Sequence, residues 1–226
     1  MKNQFLAIRL EAFLCKLGIL RTADWDAFLK SRERRLYAGF LPSSYYQADK
    51  GFFGITPFQT GVHNIAHDLR DALPIPDGSV SIFQAEDVFE HIPVENIPAI
   101  LAEIHRVLEP GGLFRFSVPD YNFSHYKART EKDEDGNLLF DPGGGGELVD
   151  GEVKGGGHVW FPTIDDVTTL FDASPFSDVH FRQYYDHNGN PHTEPVDHSI
   201  ARVSRSAELD PRGAGNPVSI IVDATK

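Results

Sequence analysis

The spacing of apolar residues along the chain predicts strands that alternate with helices. Short buried strands are indicated at residues 62–69, from Val80 onward and at residues 113–118. Between the last two, apolar residues recur at helical spacing from Asn96 to Leu108, and Glu109-Pro110-Gly111-Gly112 ends that helix in a turn. A strand, helix, turn and strand in this order make a βαβ unit, whose default is a parallel sheet. The pattern therefore predicts an α/β, doubly wound fold.

Further helices and strands are predicted before and after this βαβ unit. Residues 5–20 predict an amphipathic helix that ends near Gly18, and a second helix is expected over residues 25–34 with Thr22 as its cap. We expect residues 1–35 to form a helical cap on a main domain of residues 36–226. In that domain, weaker patterns predict strands at 36–40, 51–55, 178–184 and 218–224, and a helix that begins at Thr163.

Composition and charge limit the classes of partner that we expect for this protein. A formal net charge of −12 over 226 residues argues against a nucleic-acid substrate, because phosphate backbones are bound by clustered Lys and Arg. A single cysteine, Cys15, excludes an internal disulfide and fits a reducing compartment. No apolar run reaches the roughly twenty residues that span a bilayer. We expect a soluble, cytoplasmic protein with no membrane partner, whose oligomeric state the sequence does not fix.

Ligands of open α/β sheets bind at the carboxyl ends of strands, so residues that directly follow strands are informative. Three such places are His67-Asp68-Leu69, Gln84-Ala85-Glu86-Asp87 and Pro119-Asp120-Tyr121. In that setting the runs HDLRDALPIPDGSVSIFQAEDVFEHI and IHRVLEPGGLFRFSVPDY resemble the cofactor-binding core of class I S-adenosylmethionine-dependent methyltransferases. The resemblance covers residues 62–121, and VWFPTIDDV and NPVSIIVDATK are similar to members near polysaccharide synthesis genes.

The resemblance implies a mostly parallel Rossmann-like methyltransferase sheet with helices on both faces, and S-adenosylmethionine as cofactor. The family's glycine-rich turn after the first strand falls on residues 36–40, where only Gly39 matches, and Thr56 stands where an acid holds the ribose. Asp49 is the alternative acid. The resemblance implies seven cofactor-binding residues: Gly39, Thr56, Asp68, Leu69, Gln84, Ala85 and Glu86. Asp68 has the alternative interpretation of a turn cap.

Methyl transfer to a hydroxyl or amine needs an aligned acceptor and a group that removes a proton, and histidine suits that role near neutral pH. The catalytic candidates are His158, which we favour, His91 and Asp87, with Tyr121 and Trp160 as acceptor-binding residues. His91 could instead be a packed or capping histidine. We interpret Glu90 as an acid that favours the dipole at a helix start.

The glycine-rich run DPGGGGELVDGEVKGGGH, residues 141–158, belongs to an expected acceptor-side insertion over 122–162. Its acidic residues would repel a phosphate, and it does not link a strand to a helix N-terminus. We interpret it as a flap that delivers His158 and Trp160, the alternative being a plain surface hairpin.

No metal site is predicted. The stretch YYDHNGNPHTEPVDHS holds His187, His192 and His198 among acids, but its spacing matches no tight site. The leading hypothesis is a methyltransferase that acts on a small-molecule or carbohydrate acceptor, by O-methylation. The alternatives are a non-catalytic binding module that has lost the cofactor turn and, less favoured, a nucleotide-sugar or NAD enzyme, for which no Gly-x-Gly-x-x-Gly follows a strand.

Overall fold

The computed structural model describes residues 13–15, 17–57 and 61–226. Twelve strands are present in these ranges: β1 Arg35–Ala38, β2 Phe52–Thr56, β3 Asn64–Ala66, β4 Val80–Glu86, β5 Leu108–Pro119, β6 Glu131–Lys132, β7 Leu138–Phe140, β8 Glu147–Val149, β9 Glu152–Lys154, β10 Asp178–Tyr185, β11 Pro191–Thr193 and β12 Ser219–Thr225. The helices are α1 Trp25–Lys30, α2 Tyr46–Asp49, α3 Ile97–Val107, α4 Ser124–Arg129 and α5 Ile164–Asp172, with short 3-10 turns at Phe89–His91, Val94–Asn96 and Pro211–Gly213.

Eight of the strands form one sheet in the order β11-β10-β12-β5-β4-β1-β2-β3. Strands β1 to β5 run parallel to one another. Strand β12 is antiparallel to β5. Strand β10 is antiparallel to β12 and therefore runs in the same direction as β1 to β5. The chain runs from β1 outward to β3, then crosses to β4 and β5 on the other side of β1. This reversal places a topological switch point between β1 and β4, where open sheets bind ligands.

The helices are concentrated on one face of the sheet. Side chains of α3 and α5 pack there on aromatic residues of the central strands, among them Phe83, Phe114 and Phe116. On the opposite face, the four-residue helix α2 and the irregular segment 195–210 cover smaller apolar clusters. The predicted α/β, mostly parallel sheet is confirmed, and its second face is covered mainly by irregular chain.

Element boundaries follow local chemistry. Helix α1 is capped by Asp24, which accepts from the amide of Ala27, and not by Thr22 as predicted. Helix α5 begins after Thr163 as expected, because Thr163 and Asp166 cap each other's backbone amides. Strand β5 begins at Leu108, so the turn expected at residues 109–112 lies within it. Most of the amphipathic helix predicted at residues 5–20 lies outside the described residues.

Among the residues that the structure describes, no helix has the length and apolar character needed to cross a membrane.

Candidate functional site

A cavity of about 460 Å³ opens at the switch point, a size typical of small-molecule sites. It lies where four parallel strands end, because the residues that follow β1, β2, β3 and β4 form most of its wall. The lining residues are Gly39, Phe40, Ile55, Thr56, Pro57, Asp68, Leu69, Arg70, Asp87, Val88, His91, Ile92, Pro93 and Gly156.

Two residues determine the shape of the turn after β1: Gly39, and Asn64 through its buried side-chain amide. Gly39 has a φ of +106°, and a Cβ there would come within 3.4 Å of Val88 Cγ2, so the residue keeps this wall clear. Asn64 Oδ1 accepts from the amide of Leu41 (2.6 Å), and Asn64 Nδ2 donates to the Leu41 carbonyl (2.8 Å). These two bonds fix the course of the turn although only one glycine of the expected motif is present.

Four of the seven expected cofactor-binding residues line this cavity: Gly39, Thr56, Asp68 and Leu69. Asp68 also forms the turn cap considered from the sequence, since it accepts from the amide of Arg70 and pairs with its guanidinium at 2.6 Å. Asp49, the alternative acid, lines a different cavity with Arg35 and Lys50, at the amino ends of β1 and β2, and cannot reach this site.

The other three, Gln84, Ala85 and Glu86, do not line the cavity. Gln84 and Glu86 point to the opposite face because side chains alternate along β4. There Gln84 Nε2 donates to the Arg202 carbonyl (2.6 Å), and Glu86 Oε1 accepts from the amide of Arg205 (3.0 Å). Ala85 is fully buried in the core. Burial, and then the charge of neighbouring Asp87, raise the pKa of Glu86 to about 8.

Asp87 does line the cavity, directly after β4. Its φ of +55° is rare for a residue other than glycine, and the strained turn directs the chain into the next helical segment. Burial raises the pKa of Asp87, while its ion pair with Arg205 (Oδ2 to Nε, 2.7 Å) opposes the shift. Arg205 carries no sequence signal for this role, because it lies in the polar stretch far along the chain.

The two histidines proposed from the sequence are brought together, with ring centroids 4.8 Å apart. His91 is 34% exposed and faces the cavity, whereas His158, at 5%, lies behind it. Three hydrogen bonds join their segments: His91 Nδ1 to the Gly157 carbonyl (3.1 Å), the Val159 amide to the Glu90 carbonyl (2.9 Å) and Trp160 Nε1 to the Phe89 carbonyl (2.8 Å). His158, the catalytic base that the sequence favoured, is therefore the more buried of the two histidines.

A chain of buried polar groups fixes the ring of His158. Arg129 forms a bidentate ion pair with Asp141 (2.7 and 2.6 Å), and the Tyr121 hydroxyl lies 2.6 Å from Asp141 Oδ2 and 2.5 Å from His158 Nδ1. Burial raises the pKa of Asp141, but the hydrogen bonds from Arg129 and Tyr121 outweigh it and the net shift is downward. Asp141 is thus ionised and accepts the Tyr121 proton, so His158 Nδ1 must donate to the Tyr121 oxygen.

It follows that Nε2 of His158 carries a lone pair. Burial, and then the charge of His91, lower the pKa of His158 to about 4, so its ring is neutral near pH 7. Tyr121, which we expected to bind the acceptor, is buried among these polar groups and is not one of the residues that line the cavity.

Glu90 lies in a first helical turn, as we expected of an acid at a helix start, but it is fully buried. Its side chain is 0% exposed in the 3-10 turn Phe89–His91, and its Oε1 lies 3.7 Å from His158 Nε2 and 3.9 Å from His91 Nε2. The sequence did not predict this burial, because it depends on the packing of segment 157–160, which lies far along the chain, against the turn that carries Glu90.

The glycine-rich run contains a hairpin, β8 and β9, and the chain that follows this hairpin carries His158 against Tyr121. Its glycines allow close packing: a Cβ on Gly144 would lie 2.6 Å from the His158 ring, and one on Gly143 2.5 Å from the Arg129 guanidinium. Gly156 reaches the cavity wall. Trp160, the other expected acceptor-binding residue, lines a separate cleft with Val94 and Leu138.

The histidines of residues 184–199 do not converge. His192 stacks on Tyr184 and lies 3.7 Å from Asp186, whereas His198 faces Glu208. Within the described part of the chain, the one group of three potential metal ligands with atoms inside 4.8 Å of one another is Glu90, His91 and His158.

Comparisons with known proteins agree with this architecture. Residues 53–116 match a family model described as a methyltransferase domain. A comparison with curated proteins gives no significant match.

Solved structures with the same fold include S-adenosylmethionine-dependent methyltransferases from three organisms. The protein from Thermotoga maritima, described as a possible histamine N-methyltransferase, has a TM-score of 0.52 at 17% identity, over 100% of this chain and 94% of that one. The Mesorhizobium loti protein has a TM-score of 0.50 at 17% identity, over 85% and 90%. The Archaeoglobus fulgidus protein has a TM-score of 0.50 at 11% identity, over 97% and 94%. The chain therefore has the fold of S-adenosylmethionine-dependent methyltransferases, with a methyltransferase-domain match over residues 53–116.

Proposed function

We propose that this protein is an S-adenosylmethionine-dependent methyltransferase that modifies an oxygen of a small acceptor. The observation that carries the proposal is the cavity at the switch point, which is lined by the ends of β1 to β4 and flanked by His91. The alternative of a non-catalytic module has less support, because the turn at Gly39 is open although its motif is incomplete.

The lining residues suggest how the cofactor is held. Bound S-adenosylmethionine would supply an electrophilic methyl group on a sulfonium. Asp68 and Leu69 offer a polar and an apolar contact for the adenine, Thr56 offers a hydroxyl for the ribose, and Gly39 leaves room beside Val88 for the methionine part. Asp87 adds negative charge that favours a cationic ligand.

The histidines supply the acceptor side of the site. His91 Nδ1 donates to the Gly157 carbonyl, which leaves Nε2 of the neutral ring able to receive a proton from an acceptor in the cavity. His158 supports it from behind and is itself oriented by Tyr121 and Asp141. We thus retain His91, His158 and Asp87 as the catalytic residues of the proposal and assign the cavity-facing position to His91.

The class of acceptor is inferred from the family resemblance and from the composition of the chain. The resemblance of residues 159–167 and 216–226 to methyltransferases of polysaccharide synthesis favours a carbohydrate or glycan precursor. The net charge of −12 disfavours a nucleic acid, and the single cysteine fits a cytoplasmic location.

Calorimetric titration with S-adenosylhomocysteine, the product cofactor, tests the proposal. Val88→Trp should fill the cavity beside Gly39 and weaken binding by at least about 100-fold, or about 2.7 kcal/mol. Val94→Trp is the matched control, because it makes the same change at an exposed residue outside the cavity. No binding to the wild type at millimolar ligand, or equal loss in both variants, would contradict the proposal.

A further inference from the structure

Glu90 is a buried carboxylate whose surroundings do not satisfy it. Its side chain is 0% exposed, and neither oxygen has a hydrogen-bond partner in another described residue. An ionised group in such a place costs several kcal/mol unless a charge or donors compensate it. Burial, and then the charge of Asp87, raise the pKa of Glu90 well above its ordinary value.

The nearest polar atoms to this carboxylate are nitrogen lone pairs. His158 Nδ1 must donate to the Tyr121 oxygen, because the Tyr121 proton is committed to Asp141, and Nε2 is left without a hydrogen. His91 Nδ1 donates to the Gly157 carbonyl, so in the neutral form of this ring the lone pair lies on Nε2. The Glu90 carboxyl oxygen therefore faces two imidazole nitrogens, at 3.7 and 3.9 Å, with no hydrogen bond between them.

A proton on Glu90 would not resolve this arrangement. The nearest acceptors, the two Nε2 atoms, lie 3.7 and 3.9 Å from Oε1, beyond hydrogen-bond distance. A cation among the three atoms would satisfy all of them at once. We propose that Glu90, His91 and His158 bind a divalent transition-metal ion, Zn²⁺ in particular, with an open coordination position toward the cavity.

The donor set and its supports fit zinc. Two imidazoles and one glutamate are the protein ligands of many zinc sites that keep one position open for water or substrate. Both imidazoles are oriented through Nδ1, one by a backbone carbonyl and the other by Tyr121 and Asp141, as ligating histidines usually are. Ligand atoms about 2.1 Å from one tetrahedral ion lie about 3.4 Å apart. The three atoms here, all within 4.8 Å of one another, need only a small inward movement.

This proposal stands on the side-chain cluster and does not depend on methyl transfer. If both hold, the ion would take up the Nε2 lone pairs, and an acceptor oxygen bound at the open position would lose its proton more readily. His91 and His158 would then act through the ion instead of as free bases.

Zinc binding by calorimetry on chelator-treated protein purified without a histidine tag tests the site. The wild type should bind one equivalent, and Glu90→Gln and His158→Ala should weaken binding by more than about 100-fold, since loss of a group that only orients a ligand costs about 10- to 100-fold. Tyr121→Phe should fall in that smaller range. His192→Ala, in the other histidine-rich stretch, is the control and should bind as the wild type does.

Two further readouts separate a lost site from a lost fold. Glu90→Gln replaces the buried carboxyl by a group of nearly the same volume, so it should keep the far-ultraviolet circular dichroism of the wild type. Zinc should raise the melting temperature of the wild type and of His192→Ala but not that of Glu90→Gln. Co²⁺ should give the visible bands of a tetrahedral site only where Glu90 is intact. Absence of zinc binding in the wild type, or binding that survives Glu90→Gln and His158→Ala, would overturn the proposal. Either result would leave the titration with S-adenosylhomocysteine unaffected.

Discussion

At the scale of single residues, Asp120 links the end of β5 to β10. Its Oδ1 accepts from the amide of Asn122 (2.8 Å) and its Oδ2 from the amide of Tyr185 (2.6 Å), so both oxygens are used. Burial raises the pKa of Asp120 to about 6, against the opposing effect of these two amides. A carboxyl whose pKa is raised on folding stabilises the protein when protonated and loses that contribution as pH rises.

The stability of the wild type should therefore fall relative to Asp120→Asn as pH rises from about 3.8 to about 6. The full change amounts to about 3 kcal/mol, at about 1.4 kcal/mol for each pKa unit. The asparagine variant also loses an acceptor for one of the two amides, which adds a penalty that does not vary with pH. Urea unfolding of both proteins at several pH values between 4 and 7 measures the difference, and a constant difference would refute the assigned pKa shift.

At the scale of elements, a buried ion pair ties β5 and β12 to the irregular segment that covers the second face. Arg115 pairs with Asp223 through two hydrogen bonds (2.7 and 2.8 Å), and its remaining nitrogen donates to the carbonyls of Asp197 and Ala201. Asp223 also accepts from Arg182 Nε at 3.2 Å, but Arg182 is more exposed. Arg115 thus joins the sheet to the irregular segment through hydrogen bonds to Asp223, Asp197 and Ala201.

Arg115→Met should lower the free energy of unfolding by about 3–5 kcal/mol, because it leaves Asp223 and two carbonyls without their main partner. Arg182→Met removes a weaker contact with the same carboxylate and should cost about 1 kcal/mol or less. Chemical denaturation of the two variants provides the comparison. Equal losses would show that the bidentate pair is not what holds the segment.

The elements were more predictable than the contacts between distant segments. The apolar stripe of residues 96–108 and the Thr163 cap are local signals, and α3 and α5 formed where they indicated. Gly39 and Thr56 were placed at strand ends by the resemblance to the cofactor motifs of class I methyltransferases, aligned from Asp68. The burial of Glu90 and the role of Arg205 depend on segments 67 or more residues away, for which one sequence carries no signal.

At the scale of the whole molecule, one site combines parts from both halves of the chain. The first half supplies the strand ends around the cavity, and residues 141–160 bring His158 against His91 and Glu90. Glycines at 143 and 144 are needed for this close approach, because a Cβ at either position would clash with the Arg129 guanidinium or the His158 ring. Cofactor and acceptor would therefore meet where the two halves join.

A crystal structure of the protein with S-adenosylhomocysteine tests the central claim most directly. The account predicts the ligand in the cavity at the switch point, with its ribose within hydrogen-bond distance of Thr56, its adenine against Asp68 and Leu69, and its sulfur directed toward His91. A ligand bound elsewhere, or an empty cavity at saturating ligand, would contradict the account.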